Sequence, residues 1–97
     1  MTKTTSTTAE EILPANSMRK SLAIGNEDST EVIYIKREAG QATTVSATDH
    51  DWKIGPGGSI SYNSLLDGKD AVQARYTVVA GANTPRISYF ETEDIMR

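Results

Sequence analysis

Cysteine is absent from the 97 residues. That absence removes disulfide staples, thiolate nucleophiles and cysteine-based zinc sites together. Small secreted modules often rely on such staples, so the sequence leans toward assembly in a reducing cytoplasm. Histidine occurs once, as His50, which leaves one imidazole for any acid–base or metal chemistry. No run approaches the roughly 18 apolar residues that read as a membrane span. The opening Met1-Thr2-Lys3-Thr4-Thr5-Ser6-Thr7-Thr8 lacks the apolar stretch of a secretory signal. Excess basic charge is missing too: 10 Lys and Arg stand against 13 Asp and Glu, a net charge of −3. Phosphate binding needs Lys and Arg in clusters, and the only adjacent basic pairs are Arg19-Lys20 and Lys36-Arg37. The sequence therefore points to no direct nucleic-acid partner and no membrane. Apolar residues are only 37% of the chain, many of them Ala. So thin a core suits a homo-oligomer or lattice-bound subunit that gains stability from its neighbours.

What is present is a series of short β segments closed by turn residues. Strands are predicted over 18–25, 31–37, 43–47, 52–54, 59–63, 74–80 and 86–91, with 43–47 the weakest. Leu22 and Ile24 share one face of the first, with Arg19, Ser21 and Ala23 on the other. The short 26–30 connection predicts that the first two strands pair antiparallel. Gly55-Pro56-Gly57-Gly58 fits a type II turn, with Pro fixing the first corner and Gly taking positive φ at the second. Gly81–Pro85 reads as a hairpin closure, and Leu65 and Leu66 as a plug at one end of the core. The fold class is all-β: an antiparallel β-sandwich or jelly-roll-like barrel of about seven short strands, with an extended N-terminal arm.

Residues 1–13 form that Thr-rich arm, residues 14–91 the β-sandwich domain and residues 92–97 an acidic tail. Thr favours extended backbone, so the arm is suited to strand addition on a neighbour. Thr4, Thr5, Thr7 and Thr8, with Ile12 and Leu13 behind them, are the candidate partner contacts. Ile95 and Met96 are their counterparts in the tail.

Catalytic and cofactor chemistry has little to stand on. Asp49-His50-Asp51 holds metal-ligand residue types, but adjacent residues of an extended chain point apart. Gly55-Pro56-Gly57-Gly58-Ser59 lacks the Lys and the following helix of a phosphate loop. The acidic pairs Glu10-Glu11 and Glu93-Asp94 lie near the ends of the chain, where solvent keeps carboxyls ordinary. Trp52, Tyr34, Tyr62, Tyr76 and Tyr89 sit in or beside strands, where aromatics fill cores, although exposed and coplanar they would make a sugar platform. No catalytic residue, metal or cofactor is assigned, and the protein is expected not to be an enzyme.

The order of segments resembles a group of small tailed-bacteriophage virion proteins. The likeness runs from about Ile12 to Glu91. It is carried by Leu13-Pro14-Ala15-Asn16 with Arg19, by Leu22-Ala23-Ile24-Gly25-Asn26, and by Val32-Ile33-Tyr34-Ile35. It continues through Ile54-Gly55-Pro56-Gly57-Gly58-Ser59-Ile60-Ser61 and Ala74-Arg75-Tyr76-Thr77-Val78-Val79-Ala80. The Thr-rich start and the acidic end depart from that pattern. The resemblance implies a β-sandwich decoration (cement) protein on the capsid exterior, or an accessory protein of the head–tail region. It also implies the partners, the major capsid protein or copies of the chain itself, and the location, a virion assembled in the host cytoplasm. The alternatives kept open are a head–tail (neck) adaptor and a surface carbohydrate-binding module.

Overall fold

Alternating β-branched and aromatic residues, interrupted by Gly, Asn, Asp and Pro, set where the strands run. A computed structural model describes residues 1–63, 67–68 and 72–93. Among them are β1 (Thr2–Thr4), β2 (Glu10–Leu13), β3 (Arg19–Asn26), β4 (Ile33–Glu38), β5 (Trp52–Ile54), β6 (Ser59–Asn63), β7 (Arg75–Ala80) and β8 (Arg86–Glu93). They form two four-stranded antiparallel sheets, one ordered β1-β8-β3-β6 and the other β2-β7-β4-β5. The all-β expectation holds, with eight strands in place of seven.

The pairing follows one rule. β1 pairs with β8, β2 with β7, β3 with β6 and β4 with β5. This is a single antiparallel ribbon, outbound through β1–β4 and returning through β5–β8. It is wound so that β3 also meets β8 and β4 also meets β7. An eight-stranded ribbon wound into two sheets is a jelly roll.

Winding overturns two local expectations. β3 and β4 do not pair but lie in different sheets, and so do β7 and β8, so Gly81–Pro85 is an arch and not a hairpin. Asn26 explains the first. Its buried side chain donates to Glu31 O at 2.8 Å, Ile54 O at 3.1 Å and Gly55 O at 3.2 Å, and accepts the Asp28 N–H at 3.0 Å. The 27–32 segment is thereby folded across the end of the core. The type II turn does form: Gly57 has φ 75° and the Gly58 N–H reaches Gly55 O at 3.0 Å. It carries the chain from β5 in one sheet to β6 in the other.

The core is built from both inner faces. Leu22, Ile24 and Ile87 pack against Ile12, Leu13, Ile33, Ile35, Ile54, Tyr76 and Val78. Full burial of such side chains contributes roughly 1.5–3 kcal/mol each. Trp52 and Tyr62, on facing edge strands, meet with ring centroids 5.6 Å apart and close one side.

The structure does not show the extended N-terminal arm expected over residues 1–13. β1 is an edge strand of one sheet and β2 an edge strand of the other, so the sandwich extends beyond the 14–91 span on both sides. Thr5, between them, is buried, with its N–H and hydroxyl both bonded to Pro85 O. β8 and β7 offer this segment backbone partners that no local reading reveals.

Arg19 also departs from expectation. A register shift between Arg19 and Ser21, where β3 pairs with β8, turns its side chain inward. The buried guanidinium donates to Glu91 Oε2 at 2.6 Å, Val72 O at 2.9 Å, Ala74 O at 2.8 Å and Pro14 O at 2.5 Å. Residues 43–47 do not form a strand, and only an isolated Ser46–Asp49 bridge appears there. The Thr44 N–H instead bonds Glu38 Oε2 at 2.7 Å.

Candidate interaction surface

The outer faces of the two sheets differ in kind. Over the β2-β7-β4-β5 sheet, the segment between β4 and β5 folds back and buries Val45, which is why β7 is buried along its whole length. The polar groups beneath are consumed internally. Lys36 Nζ reaches Asp49 Oδ2 at 2.8 Å and Thr44 Oγ1 at 2.7 Å. Arg75 bonds Glu11 at 2.6 Å, Thr43 Oγ1 at 2.6 Å and Ala42 O at 3.0 Å. Burial by itself would raise the Glu38 carboxyl, but the Thr44 N–H, the Thr44 and Thr77 hydroxyls and Lys36 outweigh it and hold it below the ordinary range. The hydrogen bond to Asp49 holds Lys36 above its ordinary value against the opposing cost of desolvation.

Among the described residues no such ionic net covers the outer face of the β1-β8-β3-β6 sheet, and its exposed charge lies at one end, where Arg86 stands opposite Thr4. Antiparallel register lays its side chains in cross-strand rows. One row runs Thr2, Ser88, Gly25, Ser59; the next runs Phe90, Ala23, Ser61; the third runs Thr92, Ser21, Asn63. None of these residues is charged. Most are small, and Ser21 and Thr92 share a hydroxyl–hydroxyl bond of 2.6 Å. Gly25 keeps its row low, since a Cβ there would meet Ser88 Oγ at 3.1 Å. From this flat surface Phe90 stands out, 55% exposed.

The partner contacts expected from sequence are distributed differently. Thr5, Ile12 and Leu13 are buried within the chain itself. Thr4 is exposed in β1, and Thr7 and Thr8 are exposed in the link to β2. Ile95 and Met96 lie outside the described residues, as do Leu65 and Leu66. Asp49 pairs with Lys36, Asp51 accepts the Arg37 N–H, and His50 leans on Tyr34 at 4.7 Å, so the three adjacent residues turn to separate partners. Among the described residues no group of three or more His, Asp or Glu is placed to hold a metal. Tyr76 is buried; Trp52 and Tyr62 are half-buried and tilted 54° to each other. They do not form a coplanar platform. An open cleft of about 560 Å³ lies between Arg37, Glu38, Ala39, Gln73 and Ala74.

Phe90 is the residue that sequence reasoning missed. The signal was there: alternation puts Ile87 and Tyr89 on one face of the strand, so the adjacent Phe90 lies on the other. Comparison with family models, with curated proteins and with solved structures gives no match to this chain.

Proposed function

We propose that this protein is a structural subunit that attaches to a larger protein shell through the open face around Phe90. The sequence resemblance suggests which shell: the head of a tailed bacteriophage, with this chain as a capsid decoration (cement) protein bridging major capsid protein subunits in the virion. The observation that carries the reading is the contrast between the two outer faces. Ionic groups are spent under the β4–β5 segment, while the middle of the opposite face presents three rows of uncharged, mostly small side chains and one aromatic ring, with the exposed Arg86 at the end of the sheet beyond them. Desolvating charge is costly, and these three rows have none to desolvate. Small side chains lose little rotamer freedom on docking, and a protruding aromatic is the usual anchor of an interface. Many copies on one lattice then hold firmly through individually modest contacts.

The test is to add purified protein to tailed-phage heads prepared without it and to count bound copies. Saturable binding spread over the shell is expected. Phe90→Glu is expected to weaken it at least tenfold, about 1.4 kcal/mol, with an unchanged melting curve. Folded wild-type protein that binds no head overturns the reading. Binding confined to one vertex replaces decoration by the neck adaptor.

A further inference from the structure

Each jelly roll has four edge strands, and in this one they are not equally protected. β1 has three residues, with Lys3 at its centre ion-paired to Glu10 at 3.4 Å. β2 carries Glu10 and Glu11 and a register shift between Glu11 and Leu13. β5 has three residues with the exposed Lys53 in the middle. Shortness, charge and bulges are the devices that keep sheet edges from pairing with other chains. β6 has none of them: Ser59-Ile60-Ser61-Tyr62-Asn63 is uncharged, holds no Pro, and pairs with β3 without a register shift.

The free side of β6 can be read from its bonds. The Asn26 N–H reaches Gly58 O at 2.8 Å, one pair beyond the Gly25–Ser59 register. Alternation then directs the backbone groups of Ile60 and Tyr62 at β3 and those of Ser59 and Ser61 outward. The Asn63 N–H agrees with this phase, since it turns to Asp67 Oδ2 at 3.0 Å. Ser59 and Ser61 are exposed, and Ile60 between them is only half-buried at the rim of the core.

We infer that β6 pairs antiparallel with β6 of a second copy about a two-fold axis at Ile60. Ser59 of each copy lies opposite Ser61 of the other, and each pair exchanges two N–H···O=C bonds, four in all. Ile60 faces Ile60 of the second copy at a non-hydrogen-bonded position, where cross-strand side chains sit closest and apolar pairs stabilise the sheet. The occupant is a second copy because the segment is self-complementary in this register. It brings no like charges together, covers the exposed half of Ile60 twice, and leaves the Asn63–Asp67 bond in place. The two open faces merge into one eight-stranded surface with two Phe90 rings. This pairing goes beyond the shell-binding reading and does not depend on it.

The native chain has no cysteine, so an introduced one reports unambiguously. Facing Cα atoms at a non-hydrogen-bonded pair lie about 4.5 Å apart, within reach of a disulfide. Under mild oxidation Ile60→Cys is expected to form a reducible covalent dimer while Phe90→Cys forms no covalent crosslink. In sedimentation equilibrium the wild type is expected to be a dimer that dissociates on dilution. Ser61→Pro, which removes only an outward N–H, is expected to be monomeric at every concentration with a wild-type circular dichroism spectrum. A wild type that is monomeric at the highest concentration overturns the pairing, as does crosslinking of Phe90→Cys but not of Ile60→Cys. A monomer that still binds heads overturns this pairing alone, and a dimer that binds none overturns the shell reading alone.

Discussion

Arg19 shows how much one residue can carry. A guanidinium withdrawn from water is stabilising only while every partner stays in place. Here those partners come from the β2–β3 link, the segment before β7, and β8. Arg19→Met would strand the Glu91 carboxylate and three carbonyls. A loss of about 3–5 kcal/mol is expected, measurable by urea unfolding. Arg19→Lys should restore little of it, because one ammonium cannot reproduce the planar fork. Alternation assigned Arg19 to the solvent face. The assignment failed because a bulge depends on how β8 lies against β3, which residues 18–25 do not encode. Phe90, by contrast, is legible from its neighbours, because its outward direction follows from alternation alone.

The elements themselves were mostly visible in the sequence, and their partners were not. The type II turn at Gly55–Gly58 could be named because its hydrogen bond and its positive φ are local. The strands at 19–26, 33–38, 52–54, 59–63, 75–80 and 86–93 announce themselves by alternation and β-branching. Which strand lies beside which depends on contacts across most of the chain, so the expected β3–β4 pairing was a reasonable local guess with the wrong outcome. β1 and β2 were missed for the same reason: neither is apolar enough to read as a strand until β8 and β7 are set beside it. Deleting residues 2–5 would expose the side of β8 now covered by β1 and remove the buried Thr5 hydroxyl. A loss of at least about 1 kcal/mol is expected, seen as a fall in Tm of roughly 4–8 °C in a domain this size. Aggregation should accompany it, since β8 would become a long unguarded edge.

For the molecule as a whole, two carboxylates hold segments that lie over different parts of the sandwich. Glu38 anchors the segment over the outer face of β4 and β7. Asp28, held below its ordinary value by the N–H groups of Thr30 and then Glu31, fixes the loop between β3 and β4. A carboxyl with a depressed folded pKa contributes stability above its unfolded value, about 4, and loses it as pH falls through the folded value. Lys36 behaves oppositely: its contribution is complete below its unfolded value of about 10.4 and is lost as pH rises through the folded one. The urea midpoint should therefore hold steady near neutrality and fall steadily below about pH 4. Glu38→Gln should be less stable at pH 7 and show a shallower acid decline. An unchanged slope would remove Glu38 from the account.

The wound ribbon also has a consequence for how the protein is made. β7 sits inside one sheet between β2 and β4, and β8 inside the other between β1 and β3. Each sheet has one early interior strand, β3 or β4, and one late one, so a ribosome must deliver nearly every residue before either sheet is joined through its middle. Until then β3 has only β6 and β4 only β5 beside it, and β1 and β2 have no partner at all, a state prone to aggregation. Synthesis that stalls before Arg75 would leave a fragment lacking every pairing that β7 and β8 supply, and the cell's folding helpers would have to shelter its open edges.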